Sequence, residues 1–285
     1  MSSVAVAVLK FINRFFPRPV HPFNLETEGK MSYAEWQFQQ GHRTLEFYRP
    51  FASPREMIAS KKVLDVGCGA GGKTCYYASL GATHVWGIDI TPVQIEQAEQ
   101  FAREKGLEDR CSFALADAAD LPFSDASLDV VIMNDTMEHL ANPEQCLLEC
   151  LRVLRPDGRL YVNFPPYFHP YGAHLTDAIG IPWVHLVFSE DTLVHAYREL
   201  VAPAEDAERR LRLRLGDDAA SDAQIVYTNG MTSRRFLSIL DDSPFDLLYY
   251  REEPLRTYFS PLAHLPVVKE CFLRMITAVL TPDRD

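Results

Sequence analysis

Hydrophobic residues from Lys61 onward fall into short runs that alternate with longer amphipathic stretches. Each run has the length of a buried strand, and each amphipathic stretch places its apolar residues on one face of a helix. Strands that alternate with helices in this way predict an α/β fold with a parallel, doubly wound sheet. The predicted strands of this part are KVLDVG, HVWGIDI, CSFALAD, SLDVVIMND and RLYVNF.

The stretch TPVQIEQAEQFAREKG carries the clearest helix signals in the chain. Thr91 is a preferred N-cap residue, Pro92 suits the first helical position, and Gly106 favours a stop. This stretch therefore predicts a crossover helix between the second and third strands.

The rest of the chain divides into segments by composition. Residues 1–58 predict a helical cap segment broken by prolines, and residues 59–164 the Rossmann-like core. Residues 165–228 interrupt the alternation after the fifth strand, and this insertion is long enough for a lid or a substrate domain. Residues 229–285 predict the return of the core, with a helix and an antiparallel pair of final strands.

The amino-acid composition limits the classes of molecule that the chain is expected to bind. The chain has 285 residues, with 39 acidic against 28 basic ones and a formal charge of −11, which argues against a nucleic-acid substrate. The six cysteines form no C-x-x-C pair, so we interpret them as reduced thiols of a cytoplasmic protein. The sequence does not determine the oligomeric state, and a homodimer is one possibility.

The N-terminal apolar run, Val4 to Leu9, is too short for a membrane span or an ordinary signal peptide. We therefore predict no stable membrane insertion. The run is interpreted as an amphipathic helix that docks on the body or on a neighbour, with a role at a membrane surface as the alternative.

The stretch VLDVGCGAGGKT permits two interpretations. Gly67 to Thr74 fits G-x-x-x-x-G-K-[ST], the phosphate-binding loop of nucleoside triphosphatases. Asp65, Gly67 and the two following alternate glycines instead spell D-x-G-x-G-x-G, the nucleoside loop of S-adenosylmethionine enzymes. The strand VVIMND, which ends in an acid, adds support to the first interpretation.

Charge placement favours the second interpretation. Asp65 lies on the strand before the loop, where a carboxylate opposes a polyphosphate. Asp89 follows the second strand at a position suited to ribose hydroxyls, and Asp117 follows the third, where it could accept from an adenine amino group. Carboxylates at one sheet edge suit a cationic nucleoside. Each acid could also be only a helix cap, Asp117 above all.

These motifs, together with VWGIDIT, FALADAADLPFSDASLDVVIMNDTMEHL and LRVLRPDGRLYV, resemble class I S-adenosylmethionine-dependent methyltransferases of the small-molecule branch. The resemblance implies a seven-stranded sheet with its last strand antiparallel, and S-adenosylmethionine as cofactor, converted to S-adenosylhomocysteine. It covers residues 60–164 strongly and the final strands loosely, and it says little about the acceptor.

The resemblance also implies a role for individual residues. The methionyl end would lie against Asp65 and the backbone of Gly67–Gly69, which includes Cys68. Asp89 would bind the ribose, Ile90 would pack on the adenine, Asp117 would accept from adenine N6, and the Ala118 N–H would reach N1. Asn134 would lie beside the methionyl ammonium and the transferred methyl.

Methyl transfer to a hydroxyl needs a base, and histidine is the usual candidate. The candidates are His139 after the fourth strand and His169, His174 and His185 in the insertion, which also carries aromatic residues suited to a flat or apolar small-molecule acceptor. Structural roles are the alternative for each. The insertion histidines with Asp177 could also ligate a divalent metal, but their spacing matches no metal signature, and we predict none.

The sequence thus predicts a small-molecule methyltransferase, with transfer to oxygen favoured over nitrogen or carbon. A protein or RNA methyltransferase is a second possibility that the acidic composition disfavours. A third is an enzyme that binds S-adenosylmethionine without methylating, such as a pericyclase.

Overall fold

The computed structural model describes residues 2–216, 224–256, 259, 261–265 and 268–283. The chain divides into two compact units, each assembled from segments distant in sequence. The sheet unit comprises Ser32–Phe164, Ser233–Glu253 and Met275–Asp285, and the helical unit comprises Met1–Met31, Pro165–Thr232 and Pro254–Arg274. The expected cap segment is thus shared between both units, and the insertion joins other segments in one of them.

Secondary structure follows the predicted alternation through the first part of the chain. The strands are β1 (Lys62–Val66), β2 (His84–Asp89), β3 (Cys111–Leu115), β4 (Leu128–Asn134), β5 (Leu154–Phe164), β6 (Phe245–Pro254) and β7 (Leu273–Pro282). The described helices are α1 (Ser2–Asn13), α2 (Pro22–Thr27), α3 (Tyr33–Glu46), α4 (Pro54–Ile58), α5 (Gly72–Ser79), α6 (Pro92–Glu104), α7 (Pro143–Val153), α8 (Val184–Val187), α9 (Glu190–Val201), α10 (Ala207–Leu215) and α11 (Ser233–Asp241).

The strands form one seven-stranded sheet in the order β3-β2-β1-β4-β5-β7-β6. The pairings among β1 to β5 are parallel, and β7 pairs antiparallel with β5. This confirms the predicted Rossmann-like, seven-stranded fold with its last strand antiparallel. Since the order reverses beside β1, the carboxyl ends of β1, β2 and β4 meet at a topological switch point, where open α/β sheets bind ligands.

Helix α6 shows how closely local signals determine an element. Thr91 is its N-cap, Pro92 its first residue, and Gly106 follows the C-cap with φ of 65°. The hydroxyl of Thr91 makes no capping bond; its backbone N–H instead donates to Asp89 Oδ1 at 2.9 Å. The carboxylate at the end of β2 therefore also orders the start of α6.

The core of the sheet unit lies on the central strands. Val63, Leu64, Val130 and Ile132 are fully buried, because helices cover both faces of a parallel sheet and its strands are apolar throughout. Tyr77 on α5 is also fully buried.

The helical unit has a core of its own, to which the N-terminal helix contributes. Val6 and Leu9 on α1 are buried with Leu193 and Tyr197 of α9 in one apolar cluster. The interpretation of α1 as a docking amphipathic helix is thus confirmed within this unit. No described helix is long and apolar enough to cross a membrane.

The helical unit also contains a cluster of buried charged side chains. Asp177 is fully buried, and its Oδ2 accepts from Tyr197 Oη at 2.8 Å and from Arg210 Nη1 at 3.4 Å. Arg214, also buried, places Nε 3.8 Å from Asp177 Oδ1, and its guanidinium lies 4.0 Å from the ring centroid of Tyr227. Asp177 is therefore an internal counter-ion, which corrects its assignment as a metal ligand in the alternative considered above.

Candidate functional site

The glycine-rich loop joins β1 to α5 and is tied to the neighbouring strand. Both the Gly67 and Cys68 N–H groups donate to the Ile88 carbonyl at 2.9 Å. Gly67 and Gly69 have φ of 72° and 54°, a region that residues with a Cβ enter at a cost. The loop is thus fixed at the carboxyl ends of β1 and β2.

Protein atoms fill the space beside these glycines. A Cβ on Gly67 would come within 2.7 Å of Thr136 Oγ1, and one on Gly69 within 2.9 Å of Gln37 Nε2 and 3.4 Å of Tyr33 Cε1. The glycines are therefore required by loop conformation and packing, in addition to any approach of a ligand. Tyr33 on α3 lies beside the loop.

Asp65 is the buried acid of the site. Asp65 belongs to β1 and is 2% exposed. Its Oδ2 accepts a hydrogen bond from Thr74 Oγ1 at 2.6 Å. Burial raises the pKa of Asp65 to about 6, although the Thr74 hydroxyl and the Lys73 charge act in the opposite direction. A nearby positive charge would therefore stabilise the carboxylate strongly.

The side chain of Lys73 is largely buried. It is 12% exposed, and Nζ pairs with Asp135 Oδ2 at 2.6 Å. Burial alone would lower the pKa of Lys73, but the pairing with Asp135 and the fields of Asp65 and Glu138 outweigh it and raise the pKa. Asp135 follows β4 with φ of 56°, so the loop backbone places this carboxylate in a strained conformation.

Asp89, at the end of β2, is half-buried and organises two neighbouring loops. Its Oδ2 accepts from the Gly69 N–H at 3.0 Å, and its Oδ1 accepts from the Thr91 N–H at 2.9 Å. The next residue, Ile90, is 73% exposed, and Leu115, paired with Asp89 in the sheet register, is also exposed. An apolar surface therefore lies beside this carboxylate.

Asp117 and Ala118 follow β3. Asp117 is exposed and its Oδ1 accepts from the Ala119 N–H at 2.9 Å, which closes a local turn. No helix begins in the described residues between β3 and β4, so the helix cap considered as the alternative is not formed. Ala118 is buried. The structure thus places Asp117 at the same edge as Asp65 and Asp89 while giving it a local structural task.

Asn134 and Cys68 have side chains in the interior. The Asn134 amide accepts from Tyr48 Oη at 2.6 Å and donates to Tyr77 Oη at 3.0 Å, so both of its polar ends are occupied by core tyrosines. Cys68 is buried, and burial raises the pKa of its thiol well above its ordinary value. Only the backbone of these two residues is suited to contact a ligand.

These contacts decide between the two interpretations of the loop. In a phosphate-binding loop the lysine reaches phosphate and the Ser/Thr hydroxyl binds Mg²⁺. Here Lys73 pairs with Asp135 and the Thr74 hydroxyl donates to Asp65, so both groups have internal partners. The remaining edge is acidic, which opposes a polyphosphate and suits a cation.

Comparison with known proteins gives the same result. The model of a family described as a methyltransferase domain matches residues 64–162. Residues 64–162 are a class I S-adenosylmethionine-dependent methyltransferase domain. Its cofactor is S-adenosylmethionine, as predicted, and the chemistry of the acidic edge agrees with that assignment.

The methyltransferase domain has curated relatives with different acceptors. "Methyltransferase GfsG" of Streptomyces halstedii is 42% identical over 107 residues, which is 38% of this chain and 38% of that protein. The chloroplastic tocopherol O-methyltransferase of Arabidopsis thaliana is 39% identical over 102 residues, 36% of this chain and 29% of its own length. Norajmaline N-methyltransferase of Rauvolfia serpentina is 32% identical over 102 residues, 36% of this chain and 35% of its own length. The match thus spans well under half of each relative.

Solved structures agree over most of the chain. The [4+2]-cyclase SpnF covers 90% of this chain and 84% of its own, with a TM-score of 0.55 and 18% identity. A SAM-dependent methyltransferase from Methanosarcina mazei covers 81% and 96%, with a TM-score of 0.50 and 20% identity. At these identities the similarity shows the fold alone.

The residues of the methyltransferase domain fit a cationic adenosyl ligand. Within the described part of the chain, Asp65, Asp89 and Asp117 form no ion pair of their own, whereas Asp135 neutralises Lys73. Exposed Ile90 and Leu115 offer apolar contact beside these acids. The edge therefore presents negative charge and apolar surface together, as a nucleoside bearing a positive charge requires.

The insertion histidines lie in the helical unit, where His185 borders a cavity. The cavity has a volume of about 230 Å³ and is lined by Tyr167, His185, Glu190 and Thr228 together with apolar side chains. His185 Nε2 lies 2.9 Å from the Tyr167 carbonyl oxygen. Because a carbonyl only accepts, Nε2 carries the proton, which leaves the lone pair on Nδ1. That atom is buried and has no hydrogen-bond partner among the described residues, and burial lowers the pKa of His185.

The other two insertion histidines differ from His185. His169 Nδ1 accepts from the Tyr171 N–H at 3.1 Å, and burial, followed by the charges of His185 and Arg274, lowers its pKa to about 4. His174 has φ of 54°, and its ring centroid lies 5.7 Å from that of Tyr227.

His139 belongs to the sheet unit, in the turn after β4. Its Nε2 lies 3.6 Å from Oε1 of Glu138, which is almost fully buried. Burial raises the pKa of Glu138 well above its ordinary value, and the charge of Asp135 adds to this. The position of His139 beside this buried carboxyl group is compatible with the structural role considered for it.

Sequence reasoning missed the partners that organise the site. Thr74 and Asp135 are the side chains that complete Asp65 and Lys73, and Tyr48 and Tyr77 occupy Asn134. Thr74 follows Asp65 by nine residues, so a strand–loop–helix template could have paired them. The other contacts join elements far apart in the chain, and no local pattern indicates them.

Proposed function

We propose that the chain catalyses methyl transfer from S-adenosylmethionine to a small-molecule acceptor. The observation that carries this proposal is the acidic edge of the methyltransferase domain, where Asp65, Asp89 and Asp117 form no ion pair with any described residue while Lys73 is neutralised by Asp135. The relatives named for tocopherol and for norajmaline support an acceptor of aromatic or apolar character.

The proposed cofactor contacts follow the loop geometry. S-adenosylmethionine, when bound, supplies a methyl group on a positively charged sulfur. Asp65 and the backbone of Gly67–Gly69 orient the methionyl end, Asp89 accepts from the ribose hydroxyls, and Ile90 packs on the adenine. Asp117 and the Ala118 N–H would recognise the adenine edge, and Asn134 would lie beside the methionyl ammonium. Positioning provides most of the catalysis in such in-line displacements.

Transfer to oxygen with a histidine base is the finer part of the proposal. Of the four candidate histidines, His185 has the strongest support, because its tautomer leaves a lone pair on Nδ1 and its lowered pKa keeps the ring neutral. A neutral imidazole can take the proton of a hydroxyl at neutral pH. His139, His169 and His174 remain candidates with weaker support, since His169 Nδ1 already accepts a backbone hydrogen bond.

The proposed activity is tested with methyl-labelled S-adenosylmethionine and three acceptor probes: a simple phenol, a chromanol and a secondary amine. We expect label in the phenol or chromanol product and formation of S-adenosylhomocysteine. Label only in the amine would retain methyl transfer and overturn its direction to oxygen. Tight cofactor binding without label in any probe, and without S-adenosylhomocysteine from a wider acceptor library, would contradict the proposed activity.

His185→Gln is the matching test of the base. We expect kcat to fall by about 10²- to 10⁴-fold with little change in cofactor affinity, because only the proton acceptor is lost. His169→Gln, which changes a buried histidine of the same unit, serves as the control and should retain more activity. Equal losses in both variants would indicate a structural role for His185.

A non-methylating enzyme is the second candidate function. The [4+2]-cyclase SpnF shares this fold, so the fold by itself does not require methyl transfer. The mass of the product discriminates the two: methylation adds one methyl group, whereas cyclisation leaves the mass unchanged.

We also propose that the protein works in the cytoplasm. The six cysteines are all free thiols in the structure, and five of them are buried, which suits a reducing compartment. A disulfide between any two of them in freshly isolated protein would contradict this.

A further inference from the structure

Charge is distributed unevenly along the chain. The whole sequence carries a formal charge of −11, yet its first twenty residues contain Lys10, Arg14 and Arg18 and no acidic residue. This basic segment coincides with α1 and the turn that follows it.

One face of α1 is apolar and exposed. Val4, Val8 and Phe11 are 71%, 45% and 59% exposed, and their spacing of four and three residues places them on one side of the helix. Phe15, in the turn that follows α1, is 71% exposed. The Phe11 and Phe15 rings pack edge to face, with centroids 5.4 Å apart. The docked face of α1, described above, points the other way, so this stripe is a second apolar surface that the helical unit leaves uncovered.

A cleft beside the stripe is lined by the basic residues. Its volume is about 440 Å³, and Lys10, Arg14 and Arg18 line it together with Asn13, Phe16 and Pro17. None of its lining residues is acidic. Lys10 pairs with Glu199, whereas Arg14 forms no ion pair within the described ranges. The cleft therefore offers positive charge to an anionic group next to exposed aromatic rings.

We propose that this surface docks on a membrane rich in anionic phospholipid. Phe11 and Phe15 enter the boundary between headgroups and acyl chains, and the basic cleft takes the lipid phosphates. Exposed aromatic residues beside basic ones are typical of helices that lie in the membrane interface. The helix lies on the surface and does not cross it, in agreement with the lack of a spanning helix among the described residues.

Charge favours lipid over a second copy of the chain as the occupant. In a symmetric dimer the same patch faces itself, which would bring Arg14 and Arg18 of one copy towards those of the other. An anionic lipid surface instead complements them. The proposal does not depend on methyl transfer.

Co-sedimentation of the full chain with vesicles tests the proposal. We expect binding to vesicles of equimolar phosphatidylcholine and phosphatidylglycerol, weak binding to phosphatidylcholine alone, and release as salt is raised. The double variant Phe11→Gln/Phe15→Gln should lose about tenfold or more in vesicle affinity, because interfacial binding scales with the apolar area buried. The matched control Val187→Gln/Val226→Gln changes two exposed apolar residues of the same unit and should bind like the wild type.

A charge reversal separates the electrostatic part. Arg14→Glu should abolish the preference for phosphatidylglycerol, whereas Arg103→Glu, on an exposed face of α6, should retain it. Equal binding by the wild type and the phenylalanine double variant would overturn the proposal. So would a wild-type dimer that fails to bind vesicles and becomes monomeric in the double variant, since the stripe would then be a protein interface.

Discussion

Two buried aspartates in this chain have opposite environments. Asp177, in the helical unit, lies among Arg210, Arg214 and the hydroxyl of Tyr197, and Arg210 also pairs with Asp206. Asp65, in the sheet unit, has a threonine hydroxyl as its hydrogen-bond donor, and burial raises its pKa to about 6. Among the described residues, the Asp177 carboxylate has cationic partners, whereas the Asp65 carboxylate forms no ion pair.

The difference separates a structural charge from a binding charge. A buried ion that has internal partners is costly to unpair, so it contributes to the fold once it is formed. A buried carboxylate without a counter-ion costs stability and gains from a cationic ligand. Asp65 therefore marks the proposed ligand-binding site, whereas Asp177 is a structural counter-ion inside the helical unit.

The largest expected change in stability follows from substitution of Asp177, the buried carboxylate that has cationic partners. Asp177→Asn should lower the free energy of unfolding by about 3–5 kcal/mol, because Arg214 would stay buried without its counter-ion and Arg210 would keep only its ion pair with Asp206. Urea denaturation measures this. Exposed Asp109→Asn is the control and should be close to neutral. A loss for Asp177→Asn as small as that of the control would mean that the two arginines do not need the carboxylate.

The same substitution at Asp65 should weaken cofactor binding and leave the stability of the fold nearly unchanged. Asp65→Asn retains an oxygen for the Thr74 hydroxyl and removes an uncompensated charge, so we expect little change in stability. The affinity for S-adenosylmethionine should fall by about 1.5–3 kcal/mol, typical of hydrogen bonds to a charged group. Marked unfolding of Asp65→Asn with unchanged binding would reverse the roles assigned to the two aspartates.

Asp89→Ala should weaken S-adenosylmethionine binding by about 1–3 kcal/mol, the amount typical of two lost hydrogen bonds. Calorimetric titration measures this affinity. Asp109→Ala, which removes an exposed acid elsewhere in the sheet unit, is the control for the change in net charge. Unchanged affinity would show that the ribose is not bound at the end of β2.

The pH dependence of binding should reveal the Asp65 carboxyl directly. Its pKa of about 6 is raised above the ordinary value, and a bound cation favours the ionised form. Affinity for S-adenosylmethionine should therefore increase as pH rises through 6 and level off above it, by about tenfold for each unit that the ligand lowers the pKa. Asp65→Asn removes this increase if the assignment is right; an identical pH profile in the variant would refute it.

Local signals in the sequence predicted most of the sheet unit. The caps and stop of α6 and the order of strands and crossover helices could be predicted because they depend on neighbouring residues. The partners of Lys73 and Asp177 could not. Lys73 and Asp135 are 62 positions apart, and Asp177 and Arg210 are 33 positions apart, so only the folded chain brings each pair together.

The most direct test of the central claim is calorimetric titration of the wild-type chain with S-adenosylmethionine and with Mg-ATP. The acidic edge formed by Asp65, Asp89 and Asp117 predicts saturable binding of S-adenosylmethionine and none of Mg-ATP at the same concentrations. Binding of Mg-ATP that Lys73→Ala abolishes, with no heat from S-adenosylmethionine, would contradict the account.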